Sequence, residues 1–556
     1  MNTSYIDKMF QQSHDKSILL IEDREDFSTP LRRWLKEEGY DVKLALTYSD
    51  ALSLLDNEHF HLAIVDIRLV ENDEQNEQGL QILVKLEEMG LKDILPCIVL
   101  SAHPTVENIL KATQELGVWH FIEKETGYRK NLLKAIQEKF DYKIKINFSL
   151  QYDDNSQELM PEVITNIEWP PGKKPRCKLL TLQTRDLFGK LFVDAKRLHI
   201  SKLKPGLTGA AIVHARPTWD RGVGPSYVVK VSRRDKIAVE EKNYREYVEK
   251  YIAPDTIARV DKAYSRHLGA IVYTFAERDG TPLDEFDQYY QDSDAEKITN
   301  SLRRLFNNTC GYWYDHRERR NRSLPKLYYN AFQLTQERLV ESIKEILPHF
   351  DITQETLHFE QIPPGAINPI AWLMKHNNES VSSVYHSITH GDLTGRNILV
   401  DKDGRCWLID FYRTYESHIL RDFVILETDI KYRLLPKPTL QEFLCLERAL
   451  FHYHNLETSR TVGENFSTDL RKSLKVISAL RSMGHEFARG VTDMFQDTQK
   501  EYLLSLLMGT LNVVRLRHIE KERKLQAMLS AALICAELDQ LAGRTPNRPD
   551  FTNFLD

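Results

Sequence analysis

Short apolar runs alternate with amphipathic stretches along the first 145 residues of the chain. The apolar runs are Ser17–Ile21, Leu62–Val65, Cys97–Leu100 and His120–Ile122. Between them, residues 79–89 and 106–116 place apolar side chains at helical spacing. Strands and helices of this length in alternation predict an α/β domain, a doubly wound parallel sheet with helices on both faces.

Polar side chains follow these apolar runs directly. In a parallel sheet the carboxyl ends of the strands share one edge, where functional groups collect. Three carboxylates crowded at that edge are costly without a divalent cation, whereas a hydroxyl and a lysine can bind an added phosphate. The residues at these positions are Glu22, Asp23, Asp66, Ser101 and Lys124.

This arrangement resembles the flavodoxin-like receiver domain of two-component response regulators. The resemblance implies that Asp66 accepts a phosphoryl group and that Glu22 and Asp23 hold Mg²⁺ together with it. The receiver switch residues that the resemblance implies are Ser101, Lys124 and Phe121. A flavodoxin-like domain with acidic strand ends and no phosphorylation is the alternative.

The next segment, residues 151–175, is polar and contains four prolines. Such a composition predicts an interdomain linker without regular structure of its own. We therefore expect a receiver domain over 15–145, a linker over 146–177 and a new domain from residue 178.

A glycine-bearing turn and a strand lysine follow the linker. A turn with Gly206, Thr208 and Gly209 would let backbone N–H groups approach phosphates without an intervening Cβ. Lys230 alternates within the apolar run Tyr227–Val231, so its charge points toward a partner. The helical stretch 237–248 offers that partner as Glu240, with Glu241 as the substitute.

The segment His390–Phe411 places three polar groups around two short apolar runs joined by an Asp-Lys-Asp-Gly turn, which predicts a β-hairpin. A hairpin brings both ends of the segment together, so the three groups should face one site. Phosphoryl transfer from ATP needs such a set: one carboxylate toward the attacking hydroxyl, and an amide and a second carboxylate on Mg²⁺. These groups are Asp392, Asn397 and Asp410.

The motif resembles the core of the aminoglycoside-phosphotransferase/choline-kinase branch of the protein-kinase-like fold. That resemblance implies an α+β, two-lobed domain with a large helical C-lobe. Asp392 would be the catalytic base, and Asn397 and Asp410 would hold Mg²⁺. Lys230 and Glu240 would hold ATP, the phosphodonor. The pair Arg421-Asp422, which follows Asp410, would anchor the catalytic loop, a structural rather than a chemical role.

Length, net charge and composition limit the classes of protein to which the chain could belong. The chain has 556 residues and a net charge of −6, which indicates several domains and does not favour nucleic-acid binding. The N-terminus is polar, long apolar runs are missing, and the six cysteines are scattered, which predicts a cytoplasmic protein without a membrane partner. Helical spacing continues over 439–541. We expect a kinase-like N-lobe over 178–280, a C-lobe with a helical insertion over 281–545, and a polar tail over 546–556.

Together these patterns predict a multidomain signalling protein in which a phosphorylated receiver regulates a kinase-like phosphotransferase. Such fusions resemble bacterial signalling or conflict-system components of the ternary-complex-associated kind. The implied partners are a cognate histidine kinase or phosphotransfer protein and a small-molecule or protein acceptor, and the receiver could also form a homodimer. The alternative function is a phosphorylation-controlled binding module with an inactive pseudokinase domain.

Overall fold

The structure is a computed structural model in which the chain divides into two compact units, Met1–Val239 with Arg259–Phe275 and Glu240–Ala258 with Ala276–Asp556. It describes residues 15–70, 76–102, 105–118, 120–153, 156, 159–160, 164–165, 167–202, 209–251, 259–274, 283–359, 362–376, 383–452, 466–490 and 495–545.

The first unit begins with a five-stranded sheet whose paired strands are all parallel, in the order β2-β1-β3-β4-β5. Its strands are β1 (Ser17–Ile21), β2 (Asp41–Ala45), β3 (Leu62–Val65), β4 (Cys97–Ser101) and β5 (His120–Glu123). Helices α1 (Glu25–Glu37), α2 (Tyr48–Asn57), α3 (Gln78–Glu88), α4 (Val106–Leu110) and α5 (Tyr128–Glu138) connect and follow them. One apolar cluster covers each face of the sheet, which confirms the flavodoxin-like prediction.

A second sheet follows in the same unit, in the order β11-β12-β10-β8-β7-β6 with β9 paired to β8. Its strands are β6 (Gln151–Tyr152), β7 (Arg197–Lys202), β8 (Ala211–Trp219), β9 (Gly222–Val223), β10 (Tyr227–Arg233), β11 (Arg259–Tyr264) and β12 (Leu268–Thr274). Helix α6 (Cys177–Leu191) contributes Leu180, Leu187 and Phe188 to the core of this sheet. Helix α7 (Arg234–Asn243) follows β10 and continues as a π-helical turn, Tyr244–Val248.

The prediction that residues 151–175 form an unstructured linker is wrong. Strand β6 pairs in parallel with β7, and Met160, Ile164 and Ile167 are buried in the core of the second sheet. The prolines and polar residues of this segment dominate its composition, but its few apolar side chains decide where it packs. These residues therefore belong to the domain that follows them.

The second unit is mainly helical. Its helices are α8 (Phe286–Asp292), α9 (Ala295–Arg304), α10 (Gly311–Asp315), α11 (Leu324–Ala331), α12 (Gln336–Lys344), α13 (Pro369–His376), α14 (Arg421–Asp429), α15 (Leu440–His452), α16 (Thr468–Ala488), α17 (Phe495–Arg515) and α18 (Lys521–Leu541). The last four confirm the helical prediction for residues 439–541.

Two small antiparallel sheets complete this unit, in the orders β13-β16-β17 and β14-β15-β18. Their strands are β13 (Asp284–Glu285), β14 (Glu318–Arg320), β15 (Val384–Thr389), β16 (Ile398–Val400), β17 (Cys406–Leu408) and β18 (Tyr415–His418). Strands β16 and β17 pair as the predicted hairpin, with Leu399 opposite Trp407. A search of the described residues finds no helix with the length and apolarity that crossing a membrane requires.

Candidate functional site

The carboxyl edge of the parallel sheet gathers three acidic side chains, which we call the acidic cluster: Glu22, Asp23 and Asp66. One oxygen of each lies within 4.8 Å of the others. Strand pairing places them there, because Asp66 N donates to Ile21 O at 2.9 Å and Glu22 N donates to Ala45 O at 3.0 Å. The predicted convergence of strand ends is therefore present in the structure.

Lys124 joins this cluster from the end of β5. Its Nζ donates to Glu22 Oε2 at 2.6 Å and to Asp66 Oδ2 at 2.7 Å. The same ammonium lies 4.4 Å from the ring centroid of Phe27, at the start of α1. One cation therefore neutralises part of the cluster's charge and holds the Asp66 carboxylate in place.

Burial disfavours the ionised forms of the carboxyl groups in the acidic cluster. Loss of hydration, with the charges of Asp66 and Asp23, raises the pKa of Glu22 to about 7 despite Lys124. Burial also raises the pKa of Asp23. Glu22 Oε1 is buried without a hydrogen-bond partner, which costs free energy unless a ligand meets it. A hard divalent cation such as Mg²⁺ fits these oxygen donors.

The remaining switch residues lie on the neighbouring strands. Ser101 ends β4, is buried, and accepts at its carbonyl from Lys124 N at 2.9 Å. Phe121, in β5, is partly buried against the apolar core that includes Val99 and Val118. The structure thus brings Asp66, Ser101 and Lys124 to one edge, and Phe121 lies in β5, the strand that leads to Lys124.

In the second unit, the loop before β16 is held by the buried carboxylate of Asp422, one of the pair that the resemblance assigned to anchoring this loop. Asp422 accepts from His390 N at 2.7 Å and from Gly391 N at 2.8 Å. Arg421 donates to Gly391 O at 3.0 Å, and Tyr314 donates its hydroxyl hydrogen to Asp422 at 3.0 Å. The Arg421-Asp422 pair therefore binds both the N–H groups and a carbonyl group of the loop backbone.

Asn397 contacts both the backbone of Asp392 and the residue that precedes Asp410. Asn397 Nδ2 donates to Asp392 O at 2.8 Å, and the Asn397 carbonyl accepts from Ile409 N at 3.1 Å. Burial raises the pKa of Asp392, which Arg413 opposes and the charge of Asp410 reinforces. A carboxylate with a raised pKa accepts a proton more readily near neutral pH.

Asp410 has an unusual backbone. Its φ of +70° and ψ of 70° lie in the left-handed region, which costs a non-glycine residue about 1–3 kcal/mol. Asn243 contacts the next two residues, since its Nδ2 donates to Phe411 O at 3.1 Å and Tyr412 O at 2.9 Å. The ring of Phe411 packs against His390 and Tyr244, at centroid distances of 5.5 and 5.7 Å. Such strain persists only where surrounding contacts hold it, and it is typical of functional sites.

A second buried network supports the same loop, and the sequence did not predict it. Gly395 N donates to Asp429 Oδ2 at 2.8 Å. Arg433 donates to Asp429 Oδ1 at 2.6 Å and to Asp287 Oδ1 at 2.6 Å. A Cβ at Gly395 would lie 2.3 Å from Asp287 Oδ1, so only glycine fits there. Sequence spacing could not reveal these partners, because Asp287 precedes the loop by more than a hundred residues.

The predicted ATP-binding residues are only partly described. Gly206 and Thr208 lie outside the described residues, whereas Gly209 has a φ of +67°. A Cβ at Gly209 would lie 2.5 Å from the carboxylate of Glu168, so an acidic group faces this turn. Lys230 is buried in β10, in the first unit.

Glu240 is buried in α7, in the second unit. Glu241, the substitute partner, pairs with Arg245 at 3.0 Å and is therefore engaged within its own helix. The one-residue choice in favour of Glu240 remains a prediction.

Comparisons with known proteins divide the chain in two. Residues 195–347 and 365–509, more than half of the chain, match the family described as Ternary complex associated domain 9. Residues 18–137 match the family described as Response regulator receiver domain.

Individual relatives match the N-terminal part. A response regulator of Rickettsia bellii, described as NtrX-like, is 29% identical over 107 residues, 19% of this chain and 21% of that protein. Transcriptional regulatory protein GlrR of Escherichia coli is 31% identical over 107 residues, 19% of this chain and 22% of that protein. The chain thus matches about a fifth of the length of these curated relatives. A CheY-like receiver domain protein of Methanospirillum hungatei is similar at 28% identity and a TM-score of 0.20, over 23% of this chain and 95% of that one.

Proposed function

The chain belongs to the family described as Ternary complex associated domain 9 and carries a response regulator receiver domain, and from that premise we propose that it is a two-component signalling protein whose receiver regulates an ATP-dependent, kinase-like phosphotransferase. The phosphoryl group would pass from a histidine kinase or phosphotransfer protein to Asp66. The output would be transfer of the γ-phosphoryl group of ATP to a hydroxyl acceptor, either a small molecule or a protein.

The acidic cluster supports the receiver half of this proposal. Glu22, Asp23 and Asp66 would hold Mg²⁺, which supplies charge neutralisation at the reacting carboxylate when it is bound. Lys124 already contacts Asp66 Oδ2 and could pair with an added phosphate. The hydroxyl of Ser101 would donate to the same phosphate.

One observation carries the phosphotransferase half: Asn397 fixes the backbone of Asp392 while Asp410 stands close enough for its charge to raise the Asp392 pKa. Asp392 would accept the proton of the acceptor hydroxyl. Asn397 and Asp410 would hold Mg²⁺ on the phosphates, and Lys230 with Glu240 would hold ATP. Transfer of this kind depends on positioned charge rather than covalent catalysis, so the clamped loop is the required element.

The carboxylate of Glu168 favours a second candidate function. It faces Gly209, where the first proposal expects phosphate, and like charges repel at close range. A domain whose glycine turn is occupied in this way would be a pseudokinase. The protein would then be a binding module whose partner contacts depend on phosphorylation of Asp66.

Labelled-ATP transfer tests the two candidates. Purified protein, Mg²⁺ and γ-labelled ATP are incubated with a cell extract, in parallel with Asp392→Asn and with Asp403→Asn. Asp403 is the matched control, since it is an exposed aspartate in the turn of the same hairpin. We expect label in a metabolite or a protein with wild type and Asp403→Asn, and a loss of about 100-fold or more with Asp392→Asn, the typical contribution of a catalytic base.

The Asp392→Asn protein should still bind Mg·ATP in a calorimetric titration. Retained transfer in that variant would exclude Asp392 as the base. Absence of label with all three proteins would favour the pseudokinase function.

A further inference from the structure

Helix α3 of the receiver is locked to the phosphoryl-accepting residue at its first turn. Gly79 N donates to Ile67 O at 2.9 Å, and a Cβ at Gly79 would lie 1.8 Å from Asp66 O. Ile67 N in turn donates to Asp66 Oδ1 at 2.7 Å. A phosphoryl group adds bulk and charge at that carboxylate. Because the first turn of α3 is packed closely against Asp66, we expect this change to displace the helix.

The other end of α3 is held by an arginine from outside the receiver. Arg234 donates through one guanidinium nitrogen to Met89 O at 3.0 Å and through another to Gly90 O at 2.9 Å. These carbonyls lie at the C-terminal end of α3, where the helix dipole favours a cation. Gly90 has a φ of +65°, and a Cβ there would come within 3.2 Å of the guanidinium. The rigid, two-pronged donor set of arginine suits this pair of carbonyls.

Arg234 is also the first residue of α7. That helix carries Glu240 and ends at Asn243, whose side chain donates to the carbonyls of Phe411 and Tyr412 next to Asp410. Helix α7 therefore begins at the contact with the receiver. A helix transmits displacement along its axis because its backbone hydrogen bonds keep it stiff.

The receiver is anchored separately, on the edge formed by α2 and β3. Asp186 of α6 contacts His59 Nε2 at 2.5 Å and His61 Nε2 at 3.2 Å. His61 Nδ1 accepts from Ser17 N at 2.9 Å, so its Nε2 carries the ring proton and offers no lone pair to a metal ion.

This cluster is therefore a hydrogen-bonded clasp rather than a metal site. Arg266 adds an ion pair with Asp56 at 2.7 Å. These contacts hold the receiver at a second place, apart from the contact with Arg234.

We propose that Arg234 is the regulatory contact through which the state of Asp66 reaches α7. This inference rests on the proposed function only for its consequence at the ATP site. The contact itself lies within the first unit and can be tested without nucleotide.

Hydrogen exchange of full-length protein measures the effect. Beryllium fluoride with Mg²⁺ serves as the phosphoryl mimic, and amide exchange is followed over residues 234–243. We expect beryllium fluoride to change exchange rates in α7 of the wild type by about fivefold or more, the lower range of allosteric coupling. Arg234→Ala should bind beryllium fluoride but show a change below about twofold.

Two further variants control the experiment. Arg233→Ala removes the preceding arginine, which pairs with Asp235, and should respond as the wild type does. Asp66→Asn should not respond at all. Arg234→Lys keeps the charge but has one nitrogen for two carbonyls, so we expect an intermediate response. This variant tests the proposal even if the alanine variant folds poorly.

A full response in Arg234→Ala or Arg234→Lys, or an unresponsive α7 in wild type that binds beryllium fluoride, would overturn the proposal. A parallel titration with Mg·ATP separates the two hypotheses. An Arg234-dependent exchange response in a protein that binds no ATP would retain the regulatory contact and reject the phosphotransferase function.

Discussion

Glu22, in the acidic cluster of the receiver, has a charge state that the fold alters strongly. Its pKa is raised from 4.5 to about 7, because burial and two neighbouring carboxylates disfavour the ionised form. Below the unfolded-state pKa the carboxyl is protonated in both states and adds no penalty. As pH rises through about 5 to 7, the unfolded chain releases this proton while the folded protein retains it, so stability falls.

We therefore predict that Glu22 destabilises the metal-free protein more at pH 8 than at pH 5, so that the stability of Glu22→Gln relative to wild type rises over this range. The effect should be on the order of 3 kcal/mol, at about 1.4 kcal/mol per pKa unit. Urea unfolding at pH 5, 6.5 and 8 in a chelator measures it, with exposed Glu88→Gln as the control. Saturating Mg²⁺ should restore wild-type stability at pH 8 through preferential binding to the folded state. An equally steep pH dependence in Glu22→Gln would contradict this assignment.

Site residues could be predicted from the sequence where a polar side chain follows a predicted strand. Asp66 and Lys124 follow apolar runs directly, so the parallel sheet had to bring them to one edge. Asp422 was expected only from the resemblance, and Asp429 and Arg433 could not be predicted in this way. Their roles depend on backbone N–H groups and carboxylates that tertiary packing alone brings to them, and a buried acid or arginine has no local sequence signature.

At the level of elements, the loop before β16 requires glycine at position 391. Gly391 has a φ of +79°, and a Cβ there would lie 2.2 Å from Arg413 O and 2.8 Å from Arg421 Cζ. The clash is with backbone and with a fully buried guanidinium, neither of which can move freely. The loop, the strand after Asp410 and α14 are therefore built around this residue.

Gly391→Ala should destabilise the protein by about 1–3 kcal/mol more than Gly543→Ala, because overpacking adds that amount to the backbone strain. Gly543 is the matched control, with a φ of +69° and open space around its Cβ position. That variant should show only the left-handed backbone cost, about 1 kcal/mol. Thermal or urea unfolding of both variants compares the two terms. Equal losses of stability would show that the loop can relax around a methyl group.

Element types were predicted more reliably than domain limits. The alternation of short apolar runs indicated the parallel sheet, and three- and four-residue spacing indicated α15 to α18. Segment 151–175 was mispredicted because composition averages over a window. Strand β6 has two residues, and its parallel pairing with β7 is a long-range contact that no local pattern contains.

At the scale of the whole molecule, the position at which the second domain begins can be tested. Because β6 and the buried side chains of Met160, Ile164 and Ile167 complete the second sheet, the domain after the receiver should begin near residue 146 rather than 178. Removing residues 146–176 would expose apolar core surface at about 25 cal/mol per Å² and leave β7 with an open edge.

We predict that a fragment spanning residues 146–556 unfolds cooperatively, whereas a fragment spanning 177–556 is less stable by several kcal/mol or aggregates. Both fragments lose the receiver and the clasp at Asp186 equally, so the comparison isolates the segment itself. Replacing Met160 and Ile164 by Ala in the longer fragment should cost about 2–5 kcal/mol per site and approach the behaviour of the shorter one. Thermal unfolding and sedimentation of the three proteins decide the matter. Equal stability of the two fragments would return residues 146–176 to the status of a linker and would place the start of the domain at α6.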